Sequence, residues 1–162
     1  MIFIAEARKN GSAKNKPMPL VEEELSERIL GCCIWVHRAL GPGFLEKVYE
    51  EAVSIELTKA GLGFERQKTV VIFYDQKPVG EHRLDLLVES RVVIELKAGL
   101  AGQRAVAQLL SYMGDVSAEE EGRKIRGILV ASDFDRKAKA AARMVPNLAL
   151  RRYSIQFRFS DA

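Results

Sequence analysis

The sequence predicts an α/β (α+β) fold, with helices flanking one central mixed β-sheet. Three observations carry this. Apolar residues recur at helical spacing in several separate stretches. Between them lie runs rich in Val, Ile, Leu, Phe and Tyr, bounded by turn residues. The segments follow one another as ααβββαβαβ, a meander with a βαβ-type return. At 162 residues, 48% hydrophobic and 29% charged, the chain can bury a sizeable core and has an ordinary globular composition.

Residues 1–20 read as a flexible basic leader, because residues 6–19 are polar and basic and include Gly11, Pro17 and Pro19. Residues 21–160 read as a single domain. Over 21–40, Leu25, Ile29, Cys32, Val36 and Leu40 keep helical spacing, and Glu22, Glu23 and Glu24 favour a helix N-terminus. Gly41-Pro42-Gly43 ends that helix. A second spans 44–60 and stops at Gly61. Strands are expected at 64–74, 79–88 and 91–97, with a turn over Asp75-Gln76-Lys77-Pro78. A helix at 102–114 follows, then a polar loop at 115–124 and a strand at 125–131. A basic helix at 135–144 stops before Pro146, and a last strand covers 148–158.

Cys32 and Cys33 are adjacent on a helix, where neighbours diverge by about 100°, so no disulfide joins them. No CxxC spacing supports a zinc site, and reduced core thiols suit the cytoplasm. No apolar stretch approaches the roughly 18 residues of a membrane span, and Met1–Ala5 is too short for a signal peptide. The net charge of +3 permits a nucleic-acid partner without demanding one. From Arg136 to Arg158 the chain holds seven Lys or Arg residues and no acid. There Lys137, Lys139 and Arg143 are expected to form one ridge, which either holds phosphates, with Arg104 as a further contact, or is simply a solvated helix face.

The densest chemistry lies in Arg83–Lys97. Two apolar strands carry Asp85, Glu95 and Lys97. Glu95 and Lys97 are two residues apart and share a face. A three-residue turn (Glu89, Ser90, Arg91) puts Asp85 opposite Glu95. Two adjacent carboxylates repel unless a proton or cation lies between them, and a hard divalent cation is the natural partner. The bland alternative is a solvated hairpin with a surface Glu–Lys pair.

Asp85 followed by Glu95-Leu96-Lys97 resembles the PD-(D/E)XK nuclease motif, with Leu84 where the proline would stand. Gly43-Phe44-Leu45-Glu46-Lys47-Val48-Tyr49 matches the pattern that names the GxxExxY protein family. The runs Val36–Glu50, Gly61–Gln67 and Arg83–Val88 are similar to that family too, so the resemblance covers roughly residues 21–114. It implies a restriction-endonuclease-like core and Mg2+-dependent cleavage of nucleic acid, DNA ahead of RNA. The segment Ala98–Ala107 departs from the family's longer connection. The C-terminal part resembles the strand–helix–strand that closes other PD-(D/E)XK endonuclease domains.

The resemblance implies the following roles. Asp85, Glu95 and the Leu96 backbone carbonyl hold Mg2+ or Mn2+, joined by Glu46, while Lys97 steers water or stabilises charge. By the residues alone Glu46 is an ordinary exposed acid; the resemblance makes it a site residue, with Tyr49 on the same face. Gln108 and Tyr112, at i, i+4, look like the Gln-x-x-x-Tyr motif of such nucleases, Gln108 positioning a phosphate or Lys97. His37 is a supporting residue. No membrane partner is expected, and homodimerisation stays open. The competing reading is a catalytically silent nuclease-fold module that binds nucleic acid or protein. The complete Asp–Glu–Lys set argues against it.

Overall fold

A computed structural model describes residues 2–8 and 22–161. Along the chain the elements are β1 (Ile2–Arg8), α1 (Glu23–Leu40), α2 (Glu46–Lys59), β2 (Phe64–Tyr74), β3 (Lys77–Val88), β4 (Val92–Leu96), β5 (Leu100–Ala101), α3 (Gln103–Glu119), β6 (Arg126–Ala131), β7 (Asp133–Phe134), α4 (Arg136–Arg143) and β8 (Leu148–Arg158). Six strands form a mixed sheet in the order β1-β8-β6-β4-β3-β2. Within it β4, β6 and β8 run parallel and the other pairs are antiparallel, while β5 and β7 pair in parallel as a separate two-stranded sheet. This is the α/β sandwich that the sequence predicts.

Helices cover both faces. Ile29, Val36, Val53 and Leu57 of α1 and α2 pack on Leu86, Val88, Val92, Ile94, Ile128 and Val130. On the other face Val106, Leu109, Tyr112, Met113 and Val116 of α3, with Ala138 of α4, pack on Leu87, Val93, Leu129 and Ala131. Every residue of β4 and β6 is buried, which is why both read as nearly unbroken apolar runs.

Besides the two short strands β5 and β7, three elements differ from the sequence expectation. Residues 2–8 of the expected leader pair along β8, from Ile2 opposite Arg158 to Arg8 opposite Arg152. The open edge of β8 offers unpaired backbone groups, and the N-terminal run satisfies them. Residues 9–20 of that leader lie outside the described residues. Helix α3 runs on to Glu119 through part of the expected loop, because Val116 continues the apolar stripe of Leu109, Tyr112 and Met113. The β2–β3 turn contracts to Asp75 and Gln76, both left-handed at φ 48° and 61°, the two-residue geometry that suits a twisted hairpin. Lys77 and Pro78 thus belong to β3, with Pro78 opposite Phe73. Proline is tolerated there because β4 pairs only with Leu86–Val88 and leaves this part of β3 without a second neighbour.

Among the described residues no helix is long and apolar enough to cross a membrane. Gly127 on β6 admits α3 at close range: a Cβ at this position would run into Met113 and press on Leu109. Gly127→Val is therefore expected to cost about 1–3 kcal/mol through overpacking, read as a lower urea midpoint at unchanged slope. Unfolding curves that superpose would show that α3 does not rest on this glycine.

Candidate active site

Glu89, Ser90 and Arg91 join β3 to β4, with Val88 opposite Val92. Glu89 and Ser90 are left-handed (φ 52° and 53°), and the Arg91 N–H donates to Val88 O at 3.0 Å. This is the three-residue turn read from the sequence, and its register carries Asp85 to Glu95. The ladder itself ends one step earlier, at Leu86 opposite Ile94. Beyond that point the acidic side chains take over. The Asp85 N–H donates to Glu95 Oε1 at 3.0 Å, and the Leu96 N–H donates to Asp85 Oδ2 at 2.9 Å.

The strand on the other side also releases Asp85. Pairing of β2 with β3 runs through Arg66–Leu86 and resumes at Lys68–Leu84, skipping Gln67 and Asp85. Gln67 is left-handed there, at φ 49°. The side-chain faces swap across this break. Leu86 packs under α1 and α2, whereas Leu84 packs under α3, although residues two apart in a regular strand share a face.

Glu95 is only 5% exposed. Burial, reinforced by the charge of Asp85, pushes its carboxyl from the usual 4.5 up to about 8. Burial raises Asp85 as well, and the charge of Glu46 adds to it; the Leu96 N–H and the Lys97 ammonium pull the other way without prevailing. Lys97 acts on both acids from the end of β4, where its N–H donates to Val130 O at 2.8 Å.

Two repelling carboxylates with oxygen-only donors make a ligand set for a hard cation. The backbone bonds engage Oδ2 of Asp85 and Oε1 of Glu95, leaving the other oxygen of each outside them. Among the described residues no three His, Cys, Asp or Glu side chains converge to hold an ion. Mg2+ fits a two-carboxylate set, since it binds through one or two carboxylates and keeps several waters.

Helix α2 frames this pair. Glu46, exposed in its first turn, accepts from the Ala98 N–H at 3.3 Å. One turn on, Glu50 is 5% exposed and accepts from Arg66 Nε at 3.2 Å and Gln67 Nε2 at 2.8 Å. Burial and then the charge of Asp85 raise its pKa. Glu50 is not among the site residues expected from the sequence, although its spacing marks it: Glu50, Ser54 and Leu57 follow i, i+4, i+7 within the buried stripe.

Tyr49 donates to Gly41 O at 2.7 Å and stacks on His37 at 4.8 Å. His37 lies against Tyr153 at 4.3 Å, with Nδ1 2.8 Å from Cys33 O. Burial lowers its pKa, so the ring is neutral near pH 7. Tyr153 in turn donates to Ala98 O at 2.9 Å. Ala98, the residue after Lys97, is thus held through its N–H by Glu46 and through its carbonyl by Tyr153.

On the opposite face Tyr112 donates to Arg83 O at 2.9 Å. Burial and the charges of Glu95 and Asp85 push its hydroxyl up to about 12. Gln108 is half-buried one turn earlier, and its side chain makes no hydrogen bond among the described residues. Arg104 is exposed in the first turn of α3. On α4, Arg136, Lys139, Ala140 and Arg143 line one groove of about 480 Å3, and Lys139 also lies 3.7 Å from Asp133 Oδ1. Lys137 is absent from this groove, contrary to the expected ridge. At about 100° per residue it points roughly 200° away from Lys139, whereas Arg136 falls on the shared side.

An α/β sandwich with an acidic pair and a lysine at the broken end of a central hairpin defines a class, and family comparison agrees with it. Residues 23–124 match the PD-(D/E)XK nuclease superfamily, and the chain belongs to that superfamily. Two curated relatives are proteins named Endonuclease NucS. The one from Pyrococcus abyssi (strain GE5 / Orsay) is 35% identical over 106 residues, 59% of this chain and 42% of that protein. The one from Pyrococcus furiosus (strain ATCC 43587 / DSM 3638 / JCM 8422 / Vc1) is 41% identical over 70 residues, 41% of this chain and 26% of that protein. The chain thus spans well under half the length of these relatives. A solved structure of an EndoMS-dsDNA2 complex is 33% identical, covering 56% of this chain and 38% of that chain, with a TM-score of 0.40.

The pH dependence of stability tests this electrostatic picture. The folded protein holds the Glu95 proton more tightly than the unfolded chain does. The resulting stabilisation is fully present below pH 4.5 and is lost as pH rises through about 8. In chelator, the wild-type Tm should fall across that window. Glu95→Gln, which cannot titrate, should fall less and be the more stable protein at pH 8. Parallel Tm–pH curves for the two would remove the buried, repelling pair.

Proposed function

We propose that this chain is a divalent-metal-dependent nuclease that hydrolyses phosphodiester bonds of nucleic acid, with DNA ahead of RNA. One observation carries the reading: Asp85 and Glu95 each cap the other strand's backbone at the open end of the hairpin, with the Lys97 charge acting on both. Membership of the PD-(D/E)XK superfamily supports it. The relatives' name, Endonuclease NucS, supports cutting within a strand. The narrower assignment to the GxxExxY family belongs to the same proposal and rests on Gly43, Glu46 and Tyr49. Two buried free thiols, Cys32 and Cys33, are consistent with work in the reducing cytoplasm.

Asp85, Glu95 and the Leu96 carbonyl would hold Mg2+ or Mn2+, with Glu46 reaching the ion from the rim only through its waters. When bound, the ion supplies positive charge against the scissile phosphate and acidifies a water. Lys97 places its ammonium where negative charge grows on the phosphoryl oxygens. Glu46 and Tyr153, by fixing Ala98, keep the Lys97 backbone from swinging away from Glu95. The Tyr112 hydroxyl stays protonated and anchors Arg83, two residues from Asp85. Gln108 is assigned to a phosphate oxygen, and Arg104 with the α4 groove to the flanking backbone.

Mg2+ or Mn2+ should raise the Tm of the wild type by linkage, and Asp85→Ala or Glu95→Ala should abolish that rise. Equal shifts in all three proteins would place the ion elsewhere. Lys97→Ala should cut cleavage about 10²–10³-fold while keeping the metal-dependent Tm rise. DNA and RNA substrates are assayed side by side, each with Mg2+ and with chelator. Metal binding and nucleic-acid binding without cleavage would leave a silent binding module instead.

If α4 grips phosphates, joint replacement of Arg136, Lys139 and Arg143 by Ala should flatten the log–log salt dependence of duplex binding. The expected change is about two to three units, at about 0.9 per contact. Lys137→Ala should change it less than any of these three. Unchanged slopes in chelator would return the grip to Arg104.

A further inference from the structure

The geometry points to Gln67 as a positioning residue: clamped by Glu50 in a left-handed backbone conformation, it holds open the strand break in which Asp85 sits. The inference rests on the nuclease reading of the Asp85–Glu95 pair and deepens it. An L-residue with a long side chain avoids φ near +50°, which suits Gly and, less often, Asn. Gln67 adopts φ 49° in the middle of a strand. Something outside β2 must therefore over-determine it.

Glu50 does so. Its two carboxylate oxygens take consecutive residues of β2, Oε1 from Arg66 Nε at 3.2 Å and Oε2 from Gln67 Nε2 at 2.8 Å. Arg66 is braced further by Glu51 at 2.6 Å. Arg66 is thus tied to α2, whereas Lys68 pairs with Glu119 of α3 at 2.6 Å. The strand turns over between them, and β3 turns over with it at Asp85. A regular β2 would restore period-two alternation and set Leu84 and Leu86 on one face, rotating Asp85 out of its present place. With the kink present, the Asp85 carboxylate reaches the Leu96 N–H and its own N–H reaches Glu95. Helix α2 thereby touches both flanks of the acidic pair, Glu50 through Gln67 and Glu46 through Ala98.

Three variants and two measurements test the clamp. Gln67→Gly keeps the left-handed backbone without steric cost but loses the bond to Glu50. Gln67→Glu sets two carboxylates against each other. The double variant Glu50→Gln/Gln67→Glu restores a hydrogen bond running the opposite way. Single-strand turnover in Mg2+ should show kcat down about 10–100-fold in both single variants, with KM within about threefold and activity recovered in the double. Amide hydrogen exchange needs no cleavage: the Leu96 N–H should exchange faster in both single variants, recover in the double, and leave the Val93 N–H unchanged. Wild-type kcat and wild-type Leu96 exchange in Gln67→Gly and Gln67→Glu would overturn the inference. So would a loss that the double variant fails to recover while its Tm matches the wild type. A wild-type protein that cleaves nothing would remove the nuclease reading, and the exchange of Leu96 would still decide the clamp.

Discussion

The end of the β3–β4 ladder is the constraint on which the rest of this structure depends. Antiparallel strands normally satisfy each other's backbone groups, and a buried group left unpaired is costly. Here Asp85 and Glu95 replace the missing backbone partners with their own side chains. That substitution brings two carboxylates into a water-poor place where their charges oppose each other. The fold answers with Lys97, with backbone N–H groups and with a raised affinity for protons. A proton on one of the two carboxylates relieves that opposition.

Helix α2 and a column of aromatic rings hold that place in register. The column runs from Tyr49 through His37 to Tyr153 and ends on the Ala98 carbonyl. Its rings are planar and closely packed, Tyr49 stacked on His37 and Tyr153 tilted against it, which fixes position with few rotatable bonds. The histidine serves this column as a neutral ring. The single hydrogen bond described for its ring, to the Cys33 carbonyl, ties it to its own helix.

Much of the fold was legible because its strongest signals are local. Helical spacing placed α1 and α2 to within two residues, and the limits of β2 and β8 agreed with the expected strands. The Asp85–Glu95 proximity was legible because a three-residue turn fixes register. What stayed hidden depends on partners distant in sequence. Glu50 looked like one acid among several until β2 supplied Arg66 and Gln67 beneath it. Nothing in Phe64–Tyr74 marks a left-handed residue, since Gln67 is no Gly or Asn. The pairing of residues 2–8 with β8 bridges nearly the whole chain, beyond the reach of any local pattern. Lys137 was misplaced by angular arithmetic that α4 itself decides.

The β2–β3 ribbon outlasts its neighbour. Strand β4 accompanies β3 only from Leu86 to Val88, and α3 supports the ribbon as far as Val70 and Leu84. Past that level Val71, Phe73, Tyr74 and Val79 are exposed, and each strand has only the other. A lone two-stranded ribbon is marginal in water. Local unfolding should therefore begin at the Asp75–Gln76 tip and run inward as a small cooperative unit of its own. The Gln67–Asp85 break lies just inside the last packed rung. The molecule thus places its least regular backbone at the border between a part that opens cheaply and a part that opens only when everything does.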